Sequence, residues 1–259
     1  MLPNPRRTPT FWLHRNHLAQ AVDIRKSLGL EIGAMDLPLV EPGEGTCEFA
    51  DSRTFEELRQ LADRLGGHNP DFVVPIDYEI QLGYQVITKH YDWIAAAHVV
   101  EHVPNLVWWF NELYSKLKDG GVLFLVVPDK RFTFDYHRRV TNLSDVISAN
   151  QQQLRRPSYK QVFDHYFFAT AQLDPGDIWN GVQVGPPQKD YAAAVARAKS
   201  ALTSFEDAHC SVFTPTSFSE LMNDLSRTGL LKFRLEGMRA TQRNQLDFTA
   251  VFRKLEGHS

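Results

Sequence analysis

The sequence predicts an α/β fold built around a parallel sheet, and the stretch from Tyr91 to Arg131 carries most of that prediction: YDWIAAAHVVEHVPNLVWWFNELYSKLKDGGVLFLVVPDKR. Three observations count. Trp93 to Ala97 is an apolar run with the length of a buried strand, and Val122 to Val127 is another. Between them lies a helical pattern that opens after Asn105 and stops at Gly120-Gly121. A crossover of that length joins parallel neighbours, and sheets of that kind open a ligand crevice at the carboxyl ends of their strands.

The other elements follow in order. Pro3, Pro5 and Pro9 precede a helical pattern from Phe11 to Lys26, so residues 1–27 read as an N-terminal helical segment. Leu28 to Ala34 reads as a strand and Thr46 to Ala50 as a second, ending at Asp51. Thr54 to Leu65 is a helix, with Phe55, Leu58, Leu61, Ala62 and Leu65 at helical spacing and Gly66-Gly67 as its stop. Phe72 to Ile76 is the expected third strand, ending at Asp77. In the helix after Asn105, a favoured N-cap, the inner stripe is Leu106, Val107, Phe110, Leu113, Tyr114 and Leu117. Residues 132–205 break the pattern: they are rich in Gln, Arg and aromatics, contain PGDIWNGVQVGPPQK, and close on an Ala-rich helix from Tyr191 to Leu202. This block reads as a mostly helical insertion after the fifth strand, lying over the crevice. Thr214 to Thr228 is a further helix with Phe218, Leu221, Met222 and Leu225 inward, and Phe233 to Met238 and Phe248 to Phe252 are two last strands at the sheet edge.

Composition narrows the function classes. At 259 residues, 43% hydrophobic and 23% charged, the chain can bury a substantial core. A net charge of −3 gives no broad basic surface for nucleic acid. Cys47 and Cys210 form neither a disulfide framework nor a CxxC knuckle. The N-terminus lacks the apolar core of a secretory signal, and no apolar run approaches a membrane span. The expectation is a soluble, cytoplasmic protein that engages neither nucleic acid nor membrane. Oligomeric state is silent.

Several residues carry chemistry. Gly33 directly after a strand lets the backbone turn and approach a ligand, although the surrounding sequence is neither GxGxxG nor a phosphate-binding GK[ST] loop. Asp51 and Asp77 at successive strand ends are placed to accept hydrogen bonds from ribose hydroxyls, or else are turn residues. His98-Val-Val-Glu101-His102 matches the HxxEH pattern, in which two histidines one helical turn apart bind zinc and the glutamate activates water. Its position directly after a strand, with Pro104 close behind, argues against a metal-bearing helix, and no metal is expected. His209, in DAHCSVF before a helix start, is the first candidate general base, and His137 the second, with Asp135 and Asp129 nearby in sequence. The insertion aromatics (Phe163, Tyr166, Phe167, Phe168, Trp179) suit the wall of an acceptor pocket. His14 and His17, one helical turn apart, read as a helix cap or surface pair in preference to a metal site.

Taken together, LEIGA, YDWIAAAHVVEHVPN and LKDGGVLFLVVPD resemble the first, post-fourth-strand and fifth-strand motifs of the class I S-adenosylmethionine-dependent methyltransferases. The likeness is strongest over residues 28–131, returns weakly over 205–255, and does not cover the insertion. It implies a Rossmann-like, seven-stranded, mostly parallel sheet with helices on both faces. Residues 28–131 and 206–259 would form the S-adenosylmethionine-binding domain, and 132–205 the acceptor lid. It implies that Glu31, Gly33 and Ala34, with Asp36 in the same loop, border the methionine moiety. Asp51 would meet the ribose, Ile76 and Asp77 the adenine, and Ala97 and His98 the sulfonium. The family's GxGxG is reduced here to Gly33-Ala34-Met35-Asp36-Leu37-Pro38, as in methyltransferase-like proteins of sugar and natural-product modification. The implied activity is methyl transfer to a small-molecule acceptor, a hydroxyl of a sugar or natural product. The alternatives are a non-catalytic binding protein on the same fold and a zinc hydrolase.

Overall fold

A computed structural model describes residues 4–171 and 173–256. Seven strands form one sheet: β1 (Leu28–Ile32), β2 (Thr46–Asp51), β3 (Tyr78–Glu79), β4 (Tyr91–Ala97), β5 (Leu117–Pro128), β6 (Phe233–Arg239) and β7 (Asp247–Lys254). Their order across the sheet is β3-β2-β1-β4-β5-β7-β6. The reversal of direction across the sheet falls between β1 and β4, the place where such sheets bind ligands. β1 lies parallel to both β2 and β4, with Ile32 opposite Ala50 on one side and Ala96 on the other. β4 and β5 read as near-continuous apolar runs because both faces are covered: Trp93, Ile94 and Ala95 are buried, as are all residues from Val122 to Val127.

Eight helices accompany the sheet among the described residues: α1 (Pro9–Ala21), α2 (Phe55–Arg64), α3 (Leu106–Lys116), α4 (Leu143–Gln151), α5 (Tyr159–Phe168), α6 (Pro175–Trp179), α7 (Tyr191–Ser200) and α8 (Pro215–Arg227). Their starts follow local chemistry. Thr54, Asn142, Ser158 and Thr214 each accept a bond from the third helical amide, and the residue at that position bonds back to the cap, completing a capping box. Asn105 Oδ1 accepts from the Trp108 amide, as its N-cap role requires. α8 buries Phe218, Leu221, Met222 and Leu225, the expected stripe. α1 stops at Ala21, short of the expected Lys26, because Ser27 and Lys26 turn back onto Asp23.

The third strand departs from expectation. Phe72 to Ile76 is not a strand: Pro70–Phe72 forms a 3-10 turn, and the paired segment is Tyr78–Glu79. Pro75 has no amide to give a ladder, and Val73, with Ile76 against it, packs instead on Leu58 and Ala62 of α2.

The chain falls into two compact units. One comprises residues 1–97, 112–125 and 251–259; the other comprises 98–111 and 126–250. Residues 132–205 share a unit with 98–111 and 206–250. Within it, α5 and α7 pack through Val162, Ala198 and Ala201, joined by Ala208. Cys210 is buried in this second unit and Cys47 half-buried in the first. Among the described residues no helix is long and apolar enough to cross a membrane.

Candidate active site

In the first unit, the carboxyl ends of β1 and β2 gather the expected donor-side residues. Gly33 takes a left-handed φ of 72°, and its amide donates to the Ala50 carbonyl at 3.0 Å, so the turn lies beside Asp51. Glycine takes that φ without the steric cost that a Cβ would bring. Glu31, 1% exposed, reaches under the turn, and its carboxyl accepts from the amides of Leu39 (2.8 Å) and Val40 (3.3 Å). Burial pushes its pKa up to about 7, against the opposing pull of those amides and of Arg15. Ala34 packs on Phe49 and Val74. Asp36 is consumed internally: its buried carboxylate accepts from Arg6 Nη1 (2.5 Å) and the Asn69 amide (3.0 Å), and bonds His68 Nδ1 (2.9 Å). The loop after Gly33 is thus held by side-chain hydrogen bonds to Asp36.

Asp51 closes β2. Its Oδ1 accepts from the Arg53 amide at 2.9 Å, and burial raises its pKa. Such a carboxylate gains from hydroxyl donors. Asp77 is not at the end of the third strand. It precedes β3 and clasps Phe49, accepting the Phe49 amide at Oδ2 (2.8 Å) and donating its own amide to the Phe49 carbonyl (2.9 Å). The acid opposite Asp51 in the β2–β3 register is Glu79. The misplaced strand hid it, and Ile76, expected on the ligand side, packs towards α2. Ala97 ends β4.

The second unit gathers the histidines. His98 has a left-handed φ of 54° and bonds Asp247 Oδ2 through Nε2 at 3.0 Å. The HxxEH histidines are not one helical turn apart, since only Val100–His102 forms a 3-10 turn; this overturns the helix-borne zinc reading. His209 Nδ1 bonds Asp135 Oδ2 at 2.5 Å, and Arg138 Nη1 donates to Asp135 Oδ1 at 2.8 Å. Burial opposes ionisation of Asp135, but His209 and Arg138 outweigh it and hold its pKa down to about 2. The His209 amide donates to His165 Nδ1 at 3.1 Å, and burial pushes His165 down to about 3, so that imidazole is neutral at physiological pH. Phe134 tilts against the His209 ring at 4.7 Å. His137 goes elsewhere, bonding the Gly185 carbonyl through Nε2 at 2.6 Å. Asp129 is a fully buried anchor for Arg131 and Thr241.

Arg138 and His165 escaped the sequence reading. Arg138 could have been found from its i,i+3 spacing to Asp135; His165 has no local signal. Arg138 also lines a cavity of about 830 Å³, walled by α4 and α5, Val140 and the Cys210–Val212 segment. Arg138 therefore links Asp135 to a space large enough for a small molecule, although neither Asp135 nor His209 lines it.

The model of a methyltransferase-domain family matches residues 29–225. No curated protein matches the chain. Among solved structures, the CcbJ methyltransferase from Streptomyces caelestis is 12% identical, with 96% of this chain and 90% of that one covered and a TM-score of 0.48. The plantazolicin methyltransferase BpumL, in complex with SAH (S-adenosylhomocysteine), is 11% identical, with 98% and 87% covered and a TM-score of 0.49. The magnesium protoporphyrin IX methyltransferase from Synechocystis PCC 6803 with bound SAH is 11% identical, with 95% and 82% covered and a TM-score of 0.43. With the domain match spanning most of its length, the chain belongs to the methyltransferase-domain family, whose methyl donor is S-adenosylmethionine.

Proposed function

We propose that this protein transfers the methyl group of S-adenosylmethionine to a hydroxyl of a small-molecule acceptor, a sugar or natural product. On this reading the Gly33 turn and Asp51 hold the donor, with Asp51 accepting bonds from its ribose hydroxyls. Once bound, the donor supplies a methyl group made electrophilic by a sulfonium. The chain's own contribution on the acceptor side is to hold the hydroxyl and take charge of its proton, because an alcohol is a poor nucleophile while protonated. The observation that carries this is the buried Asp135–His209 pair at 2.5 Å, clamped by Arg138. A carboxylate on Nδ1 orients the ring and leaves Nε2 as the nitrogen available for chemistry. The cavity walled by α4 and α5 supplies a half-open space with both apolar (Val146, Phe168) and charged (Arg139, Arg156) lining.

The test is release of S-adenosylhomocysteine from S-adenosylmethionine across a panel of hydroxylated acceptors. Turnover with wild type and at least a 100-fold lower rate with Asp135→Asn, at unchanged S-adenosylhomocysteine affinity, is the expected result. Equal rates in the two proteins would remove the His209 cluster from the reaction.

A further inference from the structure

The acceptor-side reading leaves one feature unused. Glu101, His102 and His209 each present a ligand-type atom, and these atoms lie within 4.8 Å of one another. Glu101 and His102 close the 3-10 turn after β4, while His209 comes from more than a hundred residues later. The backbone locks the two segments together, because the Cys210 and Ser211 amides both donate to the Glu101 carbonyl, at 2.6 and 3.0 Å.

Both imidazoles are prepared in the same way. His102 Nδ1 bonds Asp207 Oδ1 at 2.8 Å, and His209 Nδ1 bonds Asp135 Oδ2 at 2.5 Å. A carboxylate on Nδ1 fixes the tautomer that leaves Nε2 as a lone-pair donor, the usual outer support of a metal-bound histidine. His102 Nε2 stands 3.9 Å from Glu101 Oε1. Glu101 is 1% exposed, and its Oε2 has no hydrogen-bond partner among the described residues. A buried carboxylate oxygen left without a donor is costly. A cation placed between the three groups would satisfy that oxygen and both imidazoles at once.

We propose that Glu101, His102 and His209 bind a divalent first-row transition metal ion of the zinc class through one carboxylate oxygen and two Nε2 atoms. Two imidazoles and one carboxylate suit such an ion and leave coordination positions open. Ligands about 2.1 Å from a tetrahedral ion sit about 3.4 Å apart, so loading draws these side chains inward by about an ångström. His98 Nδ1 borders the site, 3.7 Å from Glu101 Oε1. This deepens the proposed function and rests on it for the role of the ion: an alcohol on the open position would shed its proton to solvent more readily, as water does on zinc. His209 then acts as a ligand in place of taking that proton directly. The HxxEH motif takes part, but with its glutamate as ligand and with a distant histidine as the third donor.

The test titrates Zn²⁺ alone into the tag-free full chain, stripped with chelator and exchanged into chelator-free buffer, by calorimetry. The affinity for S-adenosylhomocysteine is measured on the same preparation. One Zn²⁺ per chain at micromolar affinity or tighter is expected, together with a rise in thermal midpoint and visible ligand-field bands on loading with Co²⁺. The near-isosteric Glu101→Gln should weaken Zn²⁺ at least about 100-fold. Asp207→Asn, at a half-exposed position where folding is not at stake, should weaken it about 10-fold. Affinity no tighter than millimolar, or affinity unchanged in Asp207→Asn and in a folded Glu101→Gln, overturns the site. Bound S-adenosylhomocysteine without Zn²⁺ sinks the metal proposal alone; bound Zn²⁺ without S-adenosylhomocysteine sinks the donor reading and leaves the metal site standing.

Discussion

Glu31 joins full burial to two backbone donors, and burial dominates. Its pKa rises from 4.5 to about 7, so in that window the folded chain keeps a proton that the unfolded chain releases. The resulting stability is complete below pH 4.5 and is lost as pH rises through about 7. The unfolding free energy of the wild type from urea titrations should therefore fall across this window, by at most about 3 kcal/mol, while Glu31→Gln should lack that slope. Identical slopes would point to another group. Asp51→Ala should raise the calorimetric Kd for S-adenosylhomocysteine about 10- to 100-fold, the value of hydrogen bonds to a buried carboxylate. Both residues draw notice in the sequence because an acid in or at the end of an apolar strand is a local signal. The partners of His209 do not: Asp135 lies 74 residues away, and nothing in the spacing links the two.

At the scale of elements, β1 and β4 meet at a contact that tolerates no added atom. A Cβ on Gly29 would fall 1.9 Å from the Trp93 ring, which is wholly buried. Gly29→Ala should cost about 1–3 kcal/mol through overpacking, read by chemical denaturation. At the start of α8, Thr214→Ala removes a capping box and should cost about 1 kcal/mol. The β4–α3–β5 unit was legible because its apolar runs and its cap at Asn105 agree. The third strand was not, because FVVPI has a strand's hydrophobicity but packs as a loop on α2, while the two residues that pair, Tyr78 and Glu79, are too few to leave a pattern.

For the whole molecule, the chain divides its chemistry. The Gly33 turn and Asp51 belong to one compact unit; the histidine cluster and the 830 Å³ cavity belong to the other. If the cavity takes the acceptor, Ser148→Trp, a large side chain at an exposed lining position, should lower kcat/KM for the acceptor at least about 10-fold and leave S-adenosylhomocysteine affinity unchanged. Composition marks residues 132–205 as different from their flanks but not their company, since what joins them to 206–250 is packing such as Ala208 against Val162, invisible in local sequence. Each unit also carries one thiol, Cys47 in the first and Cys210 in the second, and burial pushes both well above the ordinary cysteine range. Alkylating reagents at neutral pH should leave the native protein almost untouched. Peptide mapping of the two sites under rising denaturant would then time the opening of each half separately, with no probe engineered into the chain.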